Sequence, residues 1–211
     1  MARSIAQQIG CSIPIELAVF YNRAEDATLL AEGATLGPNP PKLTLVHVRD
    51  QDILRRALLF SEAHRIHTHS HTVFADADLW FPPTFWATFA QALAVEKPGY
   101  WSCRVLNIAL EKMEKHLEQW QNISEDRLNA DVEGTRYDAY AGQVGHFQCV
   151  PRDLLEYPAT KMIGVEQVDL SFAKLAVSRS QDTRSERRIG TVPAYHLDHP
   201  PSWKGTGGVQ L

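Results

Sequence analysis

Apolar residues in this chain fall into short runs of two kinds, and the alternation of the two kinds is its main signal. Runs rich in β-branched and aromatic residues read as strands: "IELAVFY" (15–21), "LTLVHV" (43–48), "TVFA" (72–75), "YWSCRVLNI" (100–108), "GHFQCV" (145–150) and "IGTVPAYHL" (189–197). Between them, helical patterns mark "DQDILRRALLFSEAHRI" from 50, "PTFWATFAQALAVE" from 83, "ALEKMEKHLEQWQ" from 109 and "VEQVDLSFAKLAV" from 165. Strands alternating with helices predict an α/β domain built on a mostly parallel central sheet, with helices on both faces.

Punctuation supports these boundaries. "GPNPPK" (37–42) breaks a helix before a strand, and "FPP" (81–83) ends one element and opens a helix with proline in its first turn. In the helix from 109, apolar residues at 110, 113, 117 and 120 make one buried stripe. The interval 109–145 has no clear parallel strand and ends in the polar "NADVEGTRYDAYAGQVG", which reads as an excursion over the sheet and a candidate substrate loop. One domain is expected over 1–200, followed by a flexible tail over 201–211.

Composition narrows the classes. A chain of 211 residues with 44% hydrophobic content can bury a core without disulfides or structural metals. A net charge of −4 and a pI near 6.1 give no basic field, and the one cluster of arginines, "RSQDTRSERR" (179–188), carries acids as well. Nucleic acid is therefore excluded as the main partner. Cys11, Cys103 and Cys149 are widely spaced with no C-x-x-C, which predicts reduced and mostly buried thiols. No window reaches the roughly 20 apolar residues of a transmembrane segment, and no basic start precedes an apolar core. The expectation is a cytoplasmic protein.

The chemistry concentrates in "HTVFADADLWFPPTFW" (71–86). Two carboxylates one residue apart, just past a strand, repel each other unless something positive sits between them. In an open α/β sheet that position is where ligands collect, and two hard oxygen donors suit Mn2+ or Mg2+ carrying a phosphorylated substrate. Ordinary turn aspartates before a helix remain the plain alternative. "HRIHTHSHT" offers a second constellation, with His64, His67, His69 and His71 spaced as in metal-dependent hydrolases. These histidines end a helix and precede a strand, away from the sheet's ligand side, so a polar connecting turn is the simpler reading. Trp86 and Trp101 suit packing, whereas Trp80 follows Asp78 closely enough to lie near a site, and Trp203 could cover a diphosphate.

Taken together, these motifs resemble those of the GT-A glycosyltransferases of the family 2 type. "VFADADLWFPPTFW" is similar to the family's D-x-D motif, and "LRRALLFSEAHRI" to the helix leading into it. "GQVGHFQCVPRDLLE" (142–156) resembles the strand that passes the donor sugar, where Gly145 would permit a close approach. "IGVEQVDLSFAKL" (163–175) resembles the family's acidic helix start, with Glu166 and Asp169 at acidic positions and Gln167 where many inverting members carry aspartate. "VPAYHLDHP" (192–200) resembles the late strand whose histidine joins the metal site, with His196 and His199 as candidates.

The resemblance implies a Rossmann-like GT-A fold and a transferase that moves sugar from a nucleotide-diphosphate donor, a UDP-sugar first, to a glycan or other hydroxyl acceptor. Its metal ligands would be Asp76, Asp78, His196 and His199, and the cofactor Mn2+ or Mg2+. Trp80 and Gly145 would join Asp76 and Asp78 around the donor, and Glu166 and Asp169 would be the catalytic carboxylates.

At the amino terminus the sequence departs from the family. "MARSIAQQIG" matches the family's helix containing "SI..Q", so the strand that ordinarily precedes it is absent from the sequence, and "IELAVFYN" matches the second strand, ending in Asn22 rather than an acid. A sheet without that strand would expose an edge that favours self-association. A non-catalytic, glycosyltransferase-like binding or partner protein is accordingly the rival reading, with the histidine-cluster hydrolase a minor one.

Overall fold

The computed structural model describes residues 1–50, 56–66, 68–95, 99–109, 111–112, 115–116, 123–136, 146–152, 172, 178 and 187–197. In chain order the elements are α1 (Ala2–Ala6), β1 (Glu16–Tyr21), α2 (Ala24–Thr35), β2 (Lys42–His47), α3 (Arg56–Ile66), β3 (His71–Ala75), β4 (Leu79–Trp80), α4 (Phe85–Val95), β5 (Trp101–Ile108), α5 (Glu125–Ala130), β6 (Val132–Arg136), β7 (Phe147–Pro151) and β8 (Arg187–Leu197). Each of the six strands expected from the sequence is present within two residues of its expected bounds. The helices expected from 50 and from 83 correspond to α3 and α4, whereas those from 109 and 165 fall largely outside the described residues.

The sheet corrects one expectation. β1 and β2 pair parallel as a two-stranded sheet, and a second sheet runs β3-β7-β5-β8-β4 with β6 added on β5. Within it only β5 and β8 are parallel, while β3–β7, β4–β8, β5–β6 and β5–β7 are antiparallel. The architecture is mixed α/β rather than mostly parallel. Part of the cause is β7, which periodicity marks as a strand but whose antiparallel course between β3 and β5 it does not reveal, and part is two short returns that it does not reveal at all. β4 doubles back against β8 over only two residues, and β6 follows α5 back onto β5 within the excursion after residue 109.

The main core lies between the sheets, α1 and the amino-terminal turns of α4. Phe147 of β7 is 1% exposed and its ring meets those of Phe81, Phe85, Trp86 and Phe89. β3 shows why helices lie on both its faces: Val73 and Ala75 pack into this core, and the intervening Phe74 stacks on Phe60 of α3 at 3.9 Å. Trp86 and Trp101 are buried in the same core. A second cluster gathers Trp80, Leu106, Ile108, Leu128 and Tyr195.

Two polar residues, Ser4 of α1 and Gln8 just beyond it, fasten the amino-terminal segment to the stretch after the aspartates. Ser4 Oγ accepts from the Phe81 amide at 3.2 Å. Gln8, 1% exposed, donates to the Pro82 carbonyl at 3.0 Å and accepts from the Trp86 amide at 3.0 Å, thereby satisfying one of the first amides of α4. Gly37 lies so close to the end of α1 that a Cβ there would stand 2.1 Å from the Ala6 carbonyl oxygen. Cys103 and Cys149 are buried and in no disulfide, as the spacing predicts, and burial pushes the Cys149 thiol well above its usual range.

Candidate metal site

Four strand ends bring the site together. Asp76 directly follows β3 and His146 directly precedes β7, and the antiparallel register that sets Ala75 opposite Phe147 continues one step further, with the Asp76 amide donating to the His146 carbonyl at 3.0 Å. Asp78 directly precedes β4, whose Leu79 pairs with His196 of β8, and the Leu197 amide donates to the Asp78 carbonyl at 3.0 Å. A turn closed by the Leu79 amide and the Asp76 carbonyl joins the two halves. The spacing of Asp76 and Asp78 therefore sends each carboxylate to a different histidine.

The side chains carry this pairing through. His146 Nδ1 lies 2.6 Å from Asp76 Oδ2, and its ring centroid is 4.9 Å from that of His196. His196 Nδ1 lies 2.9 Å from Asn107 Oδ1, held there because Asn107 of β5 pairs with His196 of β8. An imidazole that donates through Nδ1–H to such an acceptor offers its lone pair on Nε2. His196 Nε2 sits 3.1 Å from Asp78 Oδ2, an arrangement satisfied by a proton or by a cation shared between them.

Ligand atoms of Asp78, His146 and His196 lie within 4.8 Å of one another, in reach of one ion. One carboxylate and two imidazoles are a donor set that fits a divalent transition metal such as Mn2+ better than Mg2+, which favours oxygen donors. His196 is held through Nδ1 by Asn107 while its Nε2 meets Asp78, and His146 is held through Nδ1 by Asp76; such second partners are common among metal-binding imidazoles.

The sequence singled out Asp76, Asp78 and His196, which the fold brings together. It did not single out His146, although "VGHF" places a histidine at a strand start beside the glycine it did select. Trp80 lies within the second core cluster, 7% exposed, its ring 5.7 Å from that of Tyr195. The Tyr195 hydroxyl donates to Asn129 Oδ1, and burial pushes it up to about 12. Gly145, Glu166, Gln167, Asp169, His199 and Trp203 lie outside the described residues. Of the histidine run, His69 Nε2 is 2.8 Å from Glu16 Oε2 in the connection between α3 and β3, and His71, the first residue of β3, meets Ser70. Among the described residues no helix is long and apolar enough to cross a membrane.

No family model and no curated protein matches this sequence. Among solved structures the chain is similar to the mannosyltransferase PcManGT from Pyrobaculum calidifontis, solved in complex with GDP-Man and Mn2+, with TM-score 0.52 and 19% identity over 89% of this chain and 49% of that one. This chain thus spans about half the mannosyltransferase's length. Looser likenesses join it to the inositol-1-phosphate CTP transferase from T. maritima (TM-score 0.47, 10% identity, 88% and 70% of the two chains) and to HddC from Yersinia pseudotuberculosis (0.48, 11%, 97% and 80%). Neither of these is close enough to carry an argument. What the first shows is the fold alone: the mixed α/β architecture of this chain is similar to that of the mannosyltransferase.

Proposed function

We propose that this protein is a metal-dependent glycosyltransferase that moves a sugar from a nucleoside-diphosphate donor to a hydroxyl acceptor. The observation that carries the reading is the convergence of Asp78, His146 and His196 at strand ends of a glycosyltransferase-like fold, with Asp76 bound to one of the two histidines. In this reading Asp78, His146 and His196 hold a Mn2+ or Mg2+ ion. When bound, the ion supplies Lewis-acid stabilisation of the negative charge that develops on the departing diphosphate.

The chain's own groups do the positioning. Asp76 fixes the tautomer and plane of His146, and keeps a second oxygen for the ion or the donor's ribose. Asn107 does the same for His196, and the Leu197 amide holds the backbone of Asp78. Glu166 takes the proton of the acceptor hydroxyl if the reaction inverts, or positions the donor sugar if it retains, and Asp169 is the second catalytic carboxylate. Gly145 lets the backbone approach the sugar, and His199 is a reserve ligand. Both UDP- and GDP-sugars are candidate donors, the latter on the analogy of the mannosyltransferase.

The test is a thermal-shift and turnover comparison with Mn2+, with UDP or GDP, and with both together. Metal and nucleotide together should raise Tm more than either alone, since the diphosphate completes a ligand set the protein leaves open. Asp78→Ala and His146→Ala should each abolish that joint shift and the cleavage of nucleotide sugars. A joint shift that survives both substitutions places the metal elsewhere and removes the basis of the reading.

A further inference from the structure

His146 enters the metal cluster from β7, a strand that neither the D-x-D motif nor the late histidine motif includes, and it changes what the cluster can hold. The sequence motifs imply two neighbouring carboxylates and a histidine, whereas the fold assembles Asp78 with two imidazoles. Strand register makes the exchange. Because the Asp76 amide donates to the His146 carbonyl, the end of β3 and the start of β7 are fixed side by side, and Asp76 Oδ2 comes to lie 2.6 Å from His146 Nδ1. The first aspartate is thereby engaged by a histidine, and that histidine joins Asp78 and His196.

Donor type decides which ions such a cluster accepts. Mg2+ demands near-ideal octahedral oxygen coordination and gives up its water reluctantly, so a cluster with imidazole as two of its three donors suits it poorly. Imidazole suits zinc, cobalt and their neighbours, and for a given set of nitrogen and oxygen donors Mn2+ stands at the weak end of the divalent series. Two histidines, one carboxylate and an open position also make a set that zinc accepts. The spacing agrees: His196 Nε2 and Asp78 Oδ2 are 3.1 Å apart, an edge that fits ligand bonds of roughly 2.0–2.2 Å. The side chains of His196, His146 and Asp78 are only 3%, 15% and 20% exposed, and Asn107 and Asp76 already hold the two rings. Little further ordering is needed when an ion arrives, which favours binding by the protein's ligands alone.

We propose that His146 is the residue that sets the metal selectivity of this site. Through it the cluster takes Zn2+ or Co2+ in preference to Mn2+, discriminates against Mg2+, and does so with no nucleotide present. The inference rests on the metal site of the proposed function but not on its transfer chemistry. It narrows the ion left open there to the transition series, with Mn2+ serving where it outnumbers the ions that bind more tightly.

The experiment strips the 211-residue chain of metal and titrates it with Co2+ in the absence of nucleotide, following the visible absorption of the bound ion, then displaces it with Zn2+, Mn2+ or Mg2+. One Co2+ should bind per chain and yield to Zn2+, while Mn2+ should need at least about a tenfold higher concentration than Zn2+ and Mg2+ far more again. His146→Gln should narrow the ratio of Zn2+ to Mn2+ affinity at least about tenfold, and His146→Asp should let Mg2+ compete. Because His146→Asp places a third carboxylate beside two others, the neutral His146→Gln keeps the test open if that variant does not fold. His69→Gln/His71→Gln should leave the Co2+ spectrum and the Zn2+ affinity unchanged. An unaltered Zn2+ to Mn2+ ratio in His146→Gln, or loss of the Co2+ spectrum in the His69/His71 variant, would overturn the proposal. Metal binding that needs nucleotide would overturn it too, while leaving the transferase reading in place.

Discussion

Asp76 and Asp78 stand one residue apart yet meet different partners, because each continues a different strand pairing. Asp78 faces His196 and the cluster, while Asp76 lies against Nδ1 of His146. A carboxylate in that position orients its histidine and raises its basicity, and losing such a partner typically costs 10–100-fold in metal affinity. Asp76→Asn should accordingly weaken Mn2+ binding by about 10–100-fold in isothermal titration while leaving the urea midpoint nearly unchanged. Asn107→Leu should act in the same direction through His196. Gly37 is constrained by space alone: Gly37→Ala drives a methyl into the Ala6 carbonyl and should cost about 1–3 kcal/mol by urea denaturation, with metal affinity intact.

Among the elements, α1 is only five residues long but holds more than its length suggests. Ser4 and Gln8 reach across to Phe81, Pro82 and Trp86, which fixes the start of α4 and the segment leading out of Asp78. Gln8→Leu keeps the bulk and leaves the Pro82 carbonyl and the Trp86 amide buried without that partner, so a loss of about 2 kcal/mol or more is expected by denaturant unfolding. A second fastening joins three strands: Glu16 of β1 bonds to Lys42 of β2 and to His69 ahead of β3. Lys42, and secondarily His69, hold the Glu16 carboxyl down at about 2 against an ordinary 4.5. A depressed carboxyl stabilises the fold above its unfolded value and loses that contribution as pH falls through its folded value. The pH dependence of stability should therefore steepen between about 4.5 and 2, and Glu16→Gln should flatten it in that window.

On the scale of the whole molecule, the candidate site and the core share a strand. His146 and Phe147 are neighbours: one turns to the site, the other fills the space among four aromatic rings, so core packing sets the position of a ligand. Phe147→Ala should cost about 3–5 kcal/mol of stability, measured in urea. It should also weaken Mn2+ binding at temperatures well below its own Tm, whereas Phe147→Leu should retain most of both. The antiparallel passage of β7 between β3 and β5 makes this coupling, by setting the strand that leads out of His146 directly beside the one that leads into Asp76.

Much of this was legible in the order of residues. Runs such as "LTLVHV" and "TVFA" have local apolar periodicity strong enough to survive any tertiary arrangement, and "FPP" stops and starts elements by steric rules that need no partner. The D-x-D at the end of β3 was likewise visible, because a carboxylate pair after a strand is unusual wherever the strand is placed. His146 was not: "GHF" has no local feature that separates a ligand from a strand-edge histidine, and its role depends on the register that brings β7 beside β3. The two residues of β4 carry no periodicity to read, so the antiparallel returns were invisible and the sheet was expected to be parallel. Local patterning determined which segments became strands and helices. Their direction, order and pairing, and with them the meeting of Asp78, His146 and His196, were decided by long-range packing and backbone hydrogen bonding between segments far apart in the chain.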